Sequence, residues 1–235
     1  MDYVVELENV KKYYDLGSGK VQALRGVDLS VEKGEFTAVV GPSGSGKSTL
    51  LNIVSGLDRA TSGKVSVVGL DTTSSSDAML SRLRMEKIGF VFQAYNLIPV
   101  LTAVENAEYV MLLQGRPAAE RRAKALEMLR LVGLAGLEHR FPRQLSGGQQ
   151  QRVAIARAIA GEPQLVLADE PTANLDSRTA GALIDLMEKL NRDKGVTFVF
   201  STHDPAVVAR AHRTVTLRDG MIVHPATSGI VAQAV

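Results

Sequence analysis

Cysteine is absent from the 235 residues, which excludes disulfide scaffolds, thiolate metal sites and cysteine nucleophiles. No block of one charge occurs either: 27 Lys and Arg stand against 25 Asp and Glu, so 27 − 25 = +2. Without a dense basic stripe, a nucleic-acid partner is not expected. The longest unbroken apolar run, residues 109–113, falls far short of the roughly 20 residues a membrane helix needs. Met1-Asp2-Tyr3 does not begin the basic-then-apolar profile of a signal peptide. The expectation is a soluble chain whose membrane role, if any, comes through a partner. What is present is ordinary for a globular protein, 45% hydrophobic and 22% charged, and the chain is long enough to bury a core unaided.

Short β-rich apolar runs alternate with longer helical patterns, which predicts an α/β architecture with a largely parallel core sheet. Strands are expected at 4–10, 21–31, 36–40, 64–68, 88–92, 165–168, 196–201 and 214–217. Helices are expected at 47–57, 77–87, 104–113, 118–132, 148–160, 178–191 and 205–210. Gly, Lys and Glu turns join the first three strands, which predicts antiparallel hairpins there. Residues 94–161 hold helices and no strand, so they read as a helical subdomain inserted between core segments 1–93 and 162–220. Within it, Leu126, Leu129, Val132 and Leu134 recur at helical spacing and read as a core-facing stripe. Residues 221–235 read as a tail.

Gly41-Pro42-Ser43-Gly44-Ser45-Gly46-Lys47-Ser48 has the spacing of a phosphate-binding P-loop, and it lies between a strand and a helix as that motif requires. Glycines let backbone N–H groups turn inward and approach a phosphate, and the following helix start adds free N–H groups and a positive dipole end. Lys47 is placed to reach β- and γ-phosphates, and the Ser48 hydroxyl to hold Mg²⁺. The chain is therefore expected to bind a nucleoside triphosphate with Mg²⁺. Other apolar strands run into chemically useful residues: 88–92 into Gln93, 165–168 into Asp169-Glu170, and 196–201 into Thr202-His203. In open α/β sheets the carboxyl ends of the strands face the ligand. Asp169 fits the acidic group that organises Mg²⁺, Glu170 the general base for water, and His203 a sensor of the γ-phosphate.

Leu145-Ser146-Gly147-Gly148-Gln149 opens a second helix with anion-binding character. With these motifs together, residues 4–220 resemble the ATP-binding-cassette ATPases. The resemblance implies a P-loop NTPase core of the RecA-like α/β type, an N-terminal antiparallel β subdomain and an inserted helical subdomain. It implies a head-to-tail homodimer in which each ATP lies between residues 41–49 of one copy, Thr49 included, and Ser146, Gly147, Gly148 and Gln149 of the other. Tyr14 matches the residue that stacks on adenine, with adjacent Tyr13 as its rival. Gln93 matches the residue that meets Mg²⁺ or the attacking water, Asn174-Leu175-Asp176 the loop that crosses the dimer, and His203 the switch histidine.

A narrower likeness spans residues 92–106 and resembles the lipoprotein-releasing, macrolide-exporting and cell-division subgroup. It implies integral-membrane permease partners with large extracytoplasmic domains, and a peripheral position on the cytoplasmic face of the membrane. Ala94 stands where many members carry a second Gln. Leu97, Ile98, Val100 and Leu101 fit either a groove for a partner's coupling helix or the core of the helical subdomain. An importer ATPase remains the alternative within transport, since cassette chemistry does not encode direction. A DNA-repair cassette would need a long coiled coil that 94–161 cannot hold. A translation cassette would usually repeat motifs that here occur once, and a P-loop kinase would leave Ser146–Gln149 unexplained.

Overall fold

The computed structural model describes residues 2–15, 17 and 19–224. Two sheets organise the chain. The first is antiparallel and four-stranded, in the order β2-β1-β4-β5, with β1 at Tyr3–Asp15, β2 at Lys20–Glu32, β4 at Ser62–Val67 and β5 at Leu70–Asp71. The second has six strands in the order β10-β9-β3-β8-β7-β6. Its members are β3 (Phe36–Val40), β6 (Ile88–Val91), β7 (Leu165–Ala168), β8 (Thr197–Thr202), β9 (Arg213–Arg218) and β10 (Met221–His224). All neighbours in it are parallel except β10, which turns back on β9.

Two expectations are corrected here. The third strand, β3, does not continue the hairpins of β1 and β2; it lies in the second sheet, parallel to both β8 and β9. The reason is legible in its composition, because Phe36, Thr37, Ala38 and Val39 are all buried and an apolar strand of this kind needs cover on both faces. Residues 221–224, read as the start of a tail, form β10, and 225–235 lie outside the described residues.

Seven α-helices are present among the described residues: α1 (Lys47–Val54), α2 (Asp77–Lys87), α3 (Ala103–Leu113), α4 (Ala118–Leu131), α5 (Gly147–Ala160), α6 (Ser177–Lys194) and α7 (Pro205–Val208). Their starts follow from local chemistry. Thr102 and Glu105 form a reciprocal capping box at α3, and Ser146 and Gln149 form another at α5. Asp176 caps α6, which stops at Gly195 in the left-handed region. A short 3₁₀ turn at Pro142–Gln144, absent from the predicted elements, leads into α5.

The second sheet separates two cores. Phe36, Ala38, Val166, Ala168, Phe198 and Phe200 face the cluster that holds α3–α6. Val39, Leu165, Leu167, Val199, Val215 and Leu217 face the cluster shared with α1 and the first sheet. Alternation along each strand produces this two-sided burial. Leu129, Val132 and Leu134 are buried with Leu126 packed beside them, but α4 ends at Leu131, so Val132 is its C-cap and Leu134 reaches the core from the turn beyond rather than from a helical stripe.

Candidate functional site

Because β3, β6, β7 and β8 are parallel and in register, their carboxyl ends share one edge: Val40 pairs with Thr202, Ala168 with Phe200, and Val91 with Ala168. The residues that follow are Gly41, His203, Asp169 and, after Phe92, Gln93. Gly46 is the N-cap of α1 with φ 105°, and a Cβ there would lie 2.7 Å from the Ala23 carbonyl. At Gly41 a Cβ would fall 2.0 Å from the Leu217 carbonyl. Only glycine permits this loop path. No side chain caps α1 and no acidic residue occupies its first turn, so no side chain of the cap or first turn competes with an anion for its N–H groups.

Lys47 is buried, and its ammonium donates to the Gly41 carbonyl at 2.8 Å and the Pro42 carbonyl at 3.2 Å. The same nitrogen lies 3.7 Å from Glu170 Oε1. The other Glu170 oxygen is 2.9 Å from His203 Nδ1. Lys47, Glu170 and His203 thus form one contiguous group. Ser43, Gly44 and Ser48 are exposed along the loop; Thr49 is half-buried, and the Ser45 hydroxyl is buried without a partner. An orphaned hydroxyl inside an N–H-rich loop suits a phosphate site.

Ser201, which the sequence did not single out, is fully buried and joins the acidic pair. Its hydroxyl donates to Asp169 Oδ1 at 2.6 Å and accepts the Glu170 N–H at 2.8 Å. Glu170 has φ 45°, a left-handed conformation that costs a non-glycine residue about 1 kcal/mol and is held here by that bond.

The Gln93 side chain is exposed, while its backbone is fixed from two directions. Asn174 Nδ2 donates to the Gln93 carbonyl at 3.0 Å. On α5, buried Gln151 donates to the Pro171 carbonyl at 2.9 Å and reaches the Phe92 carbonyl at 3.5 Å. Arg157, also on α5, donates to the carbonyls of Tyr95 at 3.0 Å and Asn96 at 2.6 Å. Tyr95 and Asn96 both have positive φ, so the guanidinium clamps a bend that their backbones would not choose alone. Burial pulls the Arg157 pKa down from its ordinary value. Neither α5 residue carried a signal in the sequence, because their partners lie far away along the chain.

Tyr14 and Tyr13 separate clearly. Tyr13 is exposed, whereas the Tyr14 side chain is half-buried and its hydroxyl donates to Asp58 Oδ2 at 2.7 Å. Ser146 is exposed at the start of α5, with Gly147, Gly148 and Gln149 half-buried behind it. Asp176 spends its carboxylate on the Thr179 N–H and hydroxyl. Among the described residues no group of three or more His, Cys, Asp or Glu could hold a metal ion. A cation held by Ser48, Asp169 and Gln93 would have to share its shell with phosphate oxygens and water, the usual arrangement for Mg²⁺.

Leu97 joins the core cluster, while Val100 is 76% exposed. Ile98 lines a groove of about 370 Å³ with Leu57, Phe90, Phe92, Tyr109 and Leu113. Leu97 thus packs on the core, Ile98 borders the groove and Val100 faces solvent. No helix among the described residues is long and apolar enough to cross a membrane.

The family described as ABC transporter matches residues 24–173. Over 220 residues the chain is 52% identical to the lipoprotein-releasing system ATP-binding protein LolD of Anaeromyxobacter dehalogenans, covering 93% of this chain and 92% of that one. It is 47% identical over 219 residues to the macrolide export ATP-binding/permease protein MacB of Rhodopseudomonas palustris, covering 93% of this chain and 33% of that longer one. Among solved structures it is similar to the ATP-binding cassette MJ0796 of Methanocaldococcus jannaschii, a dimer in a post-hydrolysis state bound to ADP and Pi. That likeness has a TM-score of 0.88 at 46% identity and covers 94% of this chain and 97% of that one.

Proposed function

The chain belongs to the ABC transporter family as an ATP-binding, ATP-hydrolysing subunit, and from that premise we propose that two copies close head to tail on ATP and drive a membrane permease. The observation that carries the mechanism is Glu170, seated between the Lys47 ammonium and the His203 imidazole. Lys47 exchanges its Gly41 and Pro42 carbonyls for β- and γ-phosphate oxygens, while the N–H groups of residues 41–49 cradle the chain of phosphates. Ser48, Asp169 and Gln93 hold Mg²⁺, which neutralises phosphate charge when bound. Glu170 orients the attacking water and takes its proton, and His203 turns from Glu170 toward the γ-phosphate. Tyr14 receives the base. Ser146 and Gly148 of the opposite copy complete the γ-phosphate shell, so hydrolysis removes contacts across the interface and releases it.

The groove lined by Leu57, Phe90, Phe92, Ile98, Tyr109 and Leu113 is apolar and open, which supports docking of a short permease helix beside the Gln93 loop. The permease is expected to carry a large extracytoplasmic domain, with this subunit peripheral on the cytoplasmic face. Glu170→Gln is expected to lower turnover by about 10²–10⁴-fold while ATP binding persists. Light scattering after gel filtration with Mg-ATP should show it as a dimer. A variant that stays monomeric at saturating Mg-ATP overturns the head-to-tail reading.

A further inference from the structure

Tyr14 does not stand free at the end of β1. Asp58, in the turn after α1, accepts its hydroxyl through Oδ2, while Oδ1 accepts the Lys12 ammonium at 2.6 Å and the Arg59 N–H at 2.7 Å. Lys12 also donates to the Arg59 carbonyl at 2.8 Å and lies 4.8 Å from the centre of the Tyr14 ring. Lys12 and Tyr14 are two apart on a strand, so they rise from the same face. The turn itself is anchored to the helix, because Leu57 N–H and Asp58 N–H both donate to the Asn52 carbonyl. The ring is thus held at three points: its own strand, a cation over one face, and a carboxylate indexed to the phosphate-binding helix.

We infer that Lys12 and Asp58 are positioning residues for nucleobase binding, fixing the Tyr14 ring at a set place relative to α1 so that base and phosphates are recognised together. The inference rests on the reading that Tyr14 receives the base, and it adds the device that makes the stacking effective. An aromatic ring that must be ordered on binding loses part of its stacking energy to side-chain entropy, and a ring already pinned does not. The ammonium covers one face by a cation–π contact, which reserves the other face for a planar ligand. The pair of partners is matched in charge state. Burial raises the Tyr14 pKa and the neighbouring Asp58 carboxylate raises it further, so the hydroxyl keeps the proton it donates. Burial works to raise Asp58 too, but the Lys12 and Tyr14 hydrogen bonds outweigh it and hold the carboxyl below its ordinary value.

The test compares ATP with inorganic triphosphate, each with Mg²⁺, by titration calorimetry on the full chain. Tyr14→Ala removes the stack, Tyr14→Phe keeps the ring and removes the tether, and Asp58→Asn and Lys12→Met remove the anchors. Tyr14→Ala should weaken ATP by about tenfold to a hundredfold, the ordinary size of base–aromatic stacking. Tyr14→Phe and Asp58→Asn should each weaken ATP by about twofold to tenfold, the size of immobilising one side chain, and Lys12→Met should weaken ATP in the same direction. Triphosphate affinity should be unchanged in all four. If Tyr14→Ala weakens ATP but Tyr14→Phe and Asp58→Asn match the unsubstituted chain, the positioning role is wrong and the stacking reading stands. An unaffected Tyr14→Ala means that the stacking reading fails, and the inference with it. Equal losses for ATP and triphosphate would make the cluster a brace for the phosphate loop and overturn base positioning.

Discussion

One hydroxyl sets two neighbouring carboxylates. Ser201 orients Asp169 by donation and holds the left-handed Glu170 by acceptance, so the spacing of the acid proposed to face the metal and the base proposed to face water is set at the end of β8. Ser201→Ala leaves the part-buried Glu170 N–H without its partner, with an expected loss of about 1 kcal/mol. Turnover should fall more than ATP affinity does, and Ser201→Thr, which keeps the hydroxyl, should recover most of the turnover; steady-state kcat and KM beside chemical denaturation measure both. Equal behaviour of the alanine and threonine variants would remove Ser201 from the catalytic geometry. The motif residues were legible in the sequence because their chemistry is written in consecutive positions, as in Gly41 to Ser48 or Asp169-Glu170. Ser201, Gln151 and Arg157 were not, because each acts on backbone groups of a distant segment that only the folded sheet brings near. Tyr14 falls between these cases: its match to the family's aromatic position is local and favours it over Tyr13, whereas its hydrogen bond to Asp58 lies across the fold and is not written in the neighbouring sequence.

Helix starts were the most legible elements. The starts expected at 104 and 148 fall one residue inside the observed ones, and Thr102 with Glu105 and Ser146 with Gln149 close them as capping boxes. They also carry different duties. Thr102→Ala is expected to destabilise the chain by about 1 kcal/mol and lower its melting temperature by roughly 2–4 °C, with turnover unchanged below the transition. Ser146→Ala should lose similar stability and, in addition, the ATP-dependent dimer; scanning calorimetry paired with gel filtration distinguishes the two. The strand β3 was misassigned because the turn before it, Glu32-Lys33-Gly34-Glu35, has hairpin chemistry, and a turn specifies a change of direction without specifying which sheet receives the next strand. Burial on both faces is what moves β3 into the parallel sheet.

Across the whole molecule, the shifted carboxylates all move downward. Hydrogen bonds from Thr102 lower Glu105, the Lys124 ammonium lowers Glu162, and Asp58 is lowered as described. A carboxylate with a depressed native pKa adds stability above its unfolded value, here 3.8 for Asp and 4.5 for Glu, and that stability is lost as pH falls through the lower native value. Lys124 is opposite in sign: burial works to lower it, the Glu162 and Glu127 partners raise it overall, and its contribution is lost as pH rises beyond 10.5. Urea midpoints should therefore be level from about pH 5 to pH 9 and fall beneath pH 4. A midpoint that holds steady to pH 3 would contradict this linkage. The two-sided sheet has a further consequence for dissection of the protein. The helices α3, α4 and α5 do not own a core; they complete one with Phe36, Phe198 and Phe200 of the sheet and with Leu183 and Met187 of α6. Excised as a separate fragment, residues 94–161 would surrender that shared wall, and the remaining halves would lose the cover that α3, α4 and α5 give the sheet. The helical segment is therefore not a transplantable cassette, and chimeras joined at its borders should fold only when they bring a matching wall with them.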